Sequence, residues 1–198
     1  KNLAVNRRDD ESSFVVLISA AISAASKLLE TIMRKLTAGL FHSVDGVVQA
    51  PNLWQFDSFD DDLGTELTKV IEKTDTVLLG RVGYEEWAGF WPNATFDNGF
   101  KVFINGVPKH VASRTLKGKL AWQNSMLIPG DVASFVRDLK GQEGGDIAIM
   151  GGFSLVREML FAGLLDSLTL ITHPVVAGAG GRHLFEPTDP ATRLELKR

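Results

Sequence analysis

Apolar positions along the chain change their period several times, and each change marks an element. Residues 14–25 read FVVLISAAISAA, without a charge. Phe14, Ile18, Ala21, Ile22, Ala25, Leu29 and Ile32 fall near helical spacing, with Ser19, Ser23, Ser26 and Lys27 mostly off that stripe. The spacing predicts an amphipathic helix over 14–32. The run is too short to span a bilayer, which takes about 20 apolar residues. Asp9, Asp10 and Glu11 neutralise the positive flank that a signal peptide needs. From Arg34 short apolar strands alternate with helices. Strands are predicted over 36–41, 76–79, 109–113, 120–128, 146–150, 168–172 and 175–176. Helices are predicted from Asp61 or Asp62 as N-cap, around 84–87, after Pro129-Gly130-Asp131, and over 154–162 up to Gly163. Residues 49–61 read as loop. The alternation indicates an α/β sheet with parallel pairings and right-handed crossovers. No Pro- or Ser-rich linker divides residues 33–198, so the chain reads as an extension, 1–32, and one domain, 33–198.

Composition narrows the partners. The 198 residues are 44% hydrophobic and 23% charged, which is ordinary for a globular chain and excludes disordered or collagen-like classes. With 21 basic against 24 acidic residues and a pI near 5.8, the chain lacks the basic excess of a nucleic-acid binder. The absence of cysteine excludes disulfides, thiolate zinc sites and a cysteine nucleophile. It suits a reducing cytoplasm, and the expected location is cytoplasmic, with no membrane or nucleic-acid partner.

Candidate chemistry gathers at three strand ends. Asp146 to Met150 runs into Gly151-Gly152 and then directly into a helix carrying Ser154 and Leu155. Amides at a helix N-terminus bind phosphate, and glycine lets the anion approach; the same spelling also makes a tight turn with nothing bound. A second strand ends in Gly80-Arg81. Arg81 can clamp a phosphate or pair with Glu85 at i, i+4. A third ends in Ser113-Arg114-Thr115, whose donors can hold a phosphate monoester or simply open a loop. Gly178-Ala179-Gly180-Gly181 is not a dinucleotide fingerprint, because no helix pattern follows it. His173 and His183 lack a carboxylate or thiol to complete a metal site and read as structural.

In this order, after Ser43-Val44-Asp45-Gly46, these strand ends resemble the dihydrofolate-reductase superfamily. The chain is most similar to the branch formed by the C-terminal reductase domain of riboflavin biosynthesis (RibD C-terminal-like), which includes small stand-alone bacterial proteins. The segments that carry it are SVDG at 43–46, LLGRVGYEEW at 78–87, HVASRTL at 110–116, IMGGFSLVREML at 149–160 and GLLDSLTLITHPVVAGAGGRHLF at 163–185. The resemblance implies a three-layer α/β fold, a central mixed and mostly parallel sheet between helices, with the N-terminal helical extension added. It implies NADPH as cofactor and a homodimer. Gly151, Gly152, Ser154 and Leu155 then surround the pyrophosphate, Gly80 and Arg81 form a second phosphate-contacting turn, and Ser113 and Arg114 lie near the adenosine 2'-phosphate. Asp45, the catalytic candidate, and Gly46 lie beside the nicotinamide and substrate. Many relatives carry threonine where this chain has Gly83. Relatives also continue past Leu194-Glu195-Leu196 into a closing edge hairpin, which implies a shortened C-terminal end here.

On the substrate side Trp54, Phe56 and Asp57 offer stacking faces and a carboxylate to a flat heterocycle. The neighbouring Asp60, Asp61 and Asp62 equally suit a solvated helix N-terminus. Riboflavin-pathway reductases carry an acid-plus-arginine pattern where this chain reads Trp91-Pro92-Asn93-Ala94. The expected function is NADPH-dependent reduction of a pteridine or aminopyrimidine, like 5-amino-6-(5-phosphoribosylamino)uracil reductase or dihydrofolate reductase. The alternative is a non-catalytic nucleotide-binding or scaffold protein that keeps the fold.

Overall fold

The computed structural model describes Ser19, residues 33–95 and residues 99–196. The helix expected over 14–32 therefore lies outside the described residues, apart from Ser19. Two compact units divide after Met33, and the larger, from Arg34 onward, holds every element below.

Its strands are β1 (Leu36–Ser43), β2 (Thr74–Gly80), β3 (Lys109–Ala112), β4 (Ser125–Leu127), β5 (Asp146–Met150) and β6 (Ser167–His173). Its helices are α1 (Asp61–Lys73), α2 (Arg81–Phe90), α3 (Gly99–Gly106), α4 (Val132–Lys140) and α5 (Phe153–Phe161). The strands form one sheet in the order β4-β3-β2-β5-β1-β6. Every pairing in it is parallel. The mostly parallel sheet that was expected is found, and it is wholly parallel: among the described residues the antiparallel element is a lone bridge between Val47 and His183.

Strands β2 and β5 are continuous apolar runs, Val77-Leu78-Leu79 and Ile147-Ala148-Ile149, because both faces of their sheet are covered. On one face α4 and α5 pack Val136, Leu139, Leu155, Val156 and Met159 against Leu36, Leu78, Ile147 and Ile149. On the other, Tyr84 of α2 and Ile104 of α3 pack with Val77, Leu79, Val111 and Trp122. Asp60 is the N-cap of α1, its Oδ1 accepting from the Leu63 amide at 2.9 Å, one residue earlier than expected. Asp131 caps α4 in the same way through the Ser134 amide at 2.8 Å.

Three sequence expectations change. The strand predicted over 120–128 shrinks to β4, since Leu120 and Trp122 are buried by docking a loop on the α2–α3 face. Residues 175–176 form no strand; Val175 instead turns, its carbonyl accepting from the Val44 amide at 2.8 Å. Helix α3 went unpredicted, although Phe100, Phe103, Ile104 and Val107 carry the helical period that would have found it.

Candidate functional site

Helix α2 leaves β2 on one face of the sheet toward β3, and α5 leaves the neighbouring β5 on the other face toward β6. Adjacent strands whose connections depart in opposite directions open a crevice at their carboxyl ends, where α/β proteins hold ligands. Here the two helix N-termini touch. A Cβ placed on Gly152 would lie 3.1 Å from the Gly80 nitrogen, and one on Gly83 would lie 1.7 Å from the Gly151 carbonyl oxygen. Gly151 itself has φ +60°, whereas Gly152 is extended at φ −167°. The left-handed position of the turn is thus the first glycine, and the second is needed for close approach.

Helices α1 and α4 carry aspartate caps, but α2 and α5 begin at Gly80 and Gly152 with no side-chain cap. The first-turn amides of Phe153 and Ser154 carry no protein hydrogen bond among the described residues. Leu155 departs from its expected role. Its side chain is in the core and its amide is spent on the Gly152 carbonyl at 2.9 Å. Arg81 adopts the bland alternative, with Nη1 2.6 Å from Glu85 Oε2 on the open side of α2. Trp87 of α2 lies against the turn, its Cε2 3.2 Å from a Cβ built on Gly151.

At the end of β3 the Ser113 hydroxyl accepts from the amides of Thr115 and Leu116, at 3.2 and 2.9 Å, and so shapes its own loop. Arg114 is exposed and makes no hydrogen bond or ion pair among the described residues. At the end of β1, Asp45 accepts from Ser43 Oγ at 2.5 Å and from the amides of Ala177 and Gly178, each at 3.0 Å. These donors hold its carboxyl down at about pKa 2, the Ser43 hydroxyl acting most strongly. Asp45 therefore ties the turn after β1 to the loop after β6. Gly46, at φ +84°, makes that turn and receives the His183 ring, whose Nδ1 would be 3.3 Å from a Cβ there.

The three expected substrate residues do not come together. Trp54 is buried, its Nε1 donating to the Gln49 carbonyl at 2.9 Å, while Phe56 is 77% exposed and Asp57 faces solvent. Asp60, Asp61 and Asp62 occupy the cap and first turn of α1, the solvated-helix reading. His173, which the sequence reads as structural, is only 2% exposed and stands edge-on to Phe41 and Trp54, with ring centres 5.1 and 5.9 Å away. Burial and the neighbouring His42 hold its imidazole below the ordinary histidine range. No group of three or more metal-ligating side chains occurs among the described residues.

A parallel sheet between two helix layers, with a glycine-lined crevice at its switch point, defines a doubly wound α/β protein. The model of the RibD C-terminal domain matches residues 34–198, and the chain belongs to that family. It is 31% identical over 170 residues to the uncharacterized protein YyaP of Bacillus subtilis, spanning 83% of this chain and 86% of that one. Among solved structures it resembles a Shewanella sp. PV-4 protein provisionally assigned to riboflavin biosynthesis (TM-score 0.62, 18% identity, 79% of this chain and 86% of that one). A pyrimidine reductase-like protein from Corynebacterium diphtheriae has the same fold (TM-score 0.53, 13% identity, 80% and 83% covered). No helix among the described residues is long and apolar enough to cross a membrane.

Proposed function

We propose that the protein is an NADPH-dependent reductase of a small planar heterocycle of the pteridine or aminopyrimidine type. The observation that carries this reading is the junction of α2 and α5, two uncapped helix N-termini meeting through glycines at the switch point. Partial positive charge gathers there and no Cβ obstructs an anion. The free amides of Phe153 and Ser154 suit a pyrophosphate, and the unpaired Arg114 suits the 2'-phosphate that distinguishes NADPH from NADH. Arg81 would join only by leaving Glu85, an exposed pair whose loss costs about 0–1 kcal/mol. Asp45, ionised and fully hydrogen-bonded, is a positioning group for the β1 turn rather than a proton donor. Bound NADPH supplies the hydride; the protein holds and orients the two reactants.

Titration of NADPH and NADH against the wild type and Arg114→Ala tests the reading, with energy transfer from tryptophan as the signal. The wild type should prefer NADPH. Losing one hydrogen-bonded charge, worth about 1.5–3 kcal/mol, should weaken NADPH roughly ten- to a hundredfold and leave NADH unchanged. A wild type that binds neither cofactor, or both equally, overturns the proposal. NADPH oxidation with a pteridine or aminopyrimidine then separates an enzyme from a binding protein.

A further inference from the structure

His173 ends β6 in register with Ser43, the residue that holds Asp45. Its Nε2 is buried without a hydrogen-bond partner, and so is Nε2 of Gln55, the residue next to Trp54. A buried nitrogen left unpaired costs about 1–3 kcal/mol, and native structures hold few such groups. The segment that brings Trp54 onto His173 is also strained. Ala50 at φ 47° and Phe56 at φ 49° are non-glycine residues in the left-handed region on either side of it. Each such residue costs of order 1–3 kcal/mol. Meanwhile Leu53 and Phe56 present large apolar side chains to solvent, at 73% and 77% exposure. Strain at both ends, unpaired polar atoms beneath and apolar side chains outside describe a segment in a covering position.

We propose that His173 is a ligand-binding residue: when residues 50–56 move Trp54 aside, His173 Nε2 hydrogen-bonds the polar edge of a planar heterocycle seated against Phe41. The chemistry of the walls selects this class. Aromatic edges favour a flat ring over a sugar, and a lone nitrogen without a carboxylate cannot hold a metal ion. A neutral imidazole offers one donor and one acceptor, which suits a ring carbonyl or ring N–H rather than a carboxylate or phosphate. The inference rests on the substrate class proposed above but not on the cofactor.

The test uses 5,6-diaminouracil as probe on the full chain, followed by the imidazole nitrogen-15 shifts of His173 and by calorimetric titration. His173→Phe removes the unpaired nitrogen at similar volume, so it should raise the melting temperature and weaken the probe about five- to tenfold. His173→Gln, whose amide nitrogen reaches the place of Nε2, should restore most of that affinity, and NADPH titrations should be the same in all three proteins. A more stable His173→Phe that binds the probe as tightly as the wild type overturns the proposal, as does a wild type that gives no imidazole shift with the probe. The shift is read in the wild type, so the result stands even if His173→Phe fails to fold. Probe binding without NADPH binding would instead sink the cofactor reading and leave His173 in place.

Discussion

Among the described residues Lys109 is the bulkiest side chain with no exposed surface. It opens β3, as the first residue of the strand predicted over 109–113. Its Nζ donates to the carbonyls of Ile104 and Val107, at 2.8 and 2.9 Å, and lies 4.5 Å from the centre of the Trp122 ring. A cation thus caps the end of α3, and no carboxylate repays its desolvation. Burial pushes its pKa down to about 8 from 10.5. Between those two values the unfolded chain binds more protons at this site than the folded one, so stability should rise with pH across that window. Urea midpoints at pH 7.5 and 10 should show the rise in the wild type and a smaller one in Lys109→Met. Identical pH slopes in both proteins would mean that Lys109 titrates as it does in water. Individual residues were the hardest to read in the chain. Arg81 and Arg114 look alike at two strand ends, yet one has Glu85 a helical turn away and the other has no hydrogen-bond or ion-pair partner among the described residues. The Glu85 pairing was legible from i, i+4 spacing; that it prevails over a ligand role is a matter of distance.

At the scale of elements, the glycine turn and α2 depend on each other. Gly83 lies in the first turn of α2, where its Cβ would occupy the place of the Gly151 carbonyl. Glycine at position 83 is therefore a packing requirement in this chain. Even alanine should force α2 away from β5. Gly83→Ala should destabilise by about 1–3 kcal/mol, in the range of core overpacking, despite alanine's better helix propensity. Denaturant unfolding measures it, and an unchanged midpoint would show that the two turns can part freely. The strand–Gly-Gly–helix spelling announced the turn, because glycine and the switch from strand to helix period are local properties. Which glycine takes the positive φ, and which merely makes room, depends on Gly80 and Gly83, some seventy positions earlier in the chain.

In the whole molecule the two edges of the sheet are built differently. At the amino ends of the strands, buried Arg34 bonds to Asp75, to Thr76 Oγ1 at 2.7 Å and to the Gly145 carbonyl at 2.7 Å, stitching β1, β2 and β5 together. Lys140 bonds to Asp166 and to the Leu164 carbonyl, while Asp166 also accepts from the Leu36 amide at 2.7 Å. At the carboxyl ends, α2 and α5 are left uncapped and Arg114 unpaired. Removing one partner of a largely buried ion pair costs about 3–5 kcal/mol, less here because Asp75 can return to water. Arg34→Met should lower the unfolding free energy by about 2–4 kcal/mol and leave the NADPH affinity of the folded fraction unchanged. A loss of affinity matching the loss of stability would show the two edges to be coupled.

Local sequence set the alternation of strands and helices, the helix start after Pro129-Gly130-Asp131, the stop at Gly163, and the family, since period, capping and turn chemistry act within a few residues. Strand order, the all-parallel pairing, the burial of Lys109 and His173, the solvent-facing fate of Phe56 and Asp57 and the tie of Asp45 to residues 177–178 were decided only in the tertiary structure. Each of these depends on what distant segments place beside a residue, and the local pattern of apolar and polar positions carries no record of that.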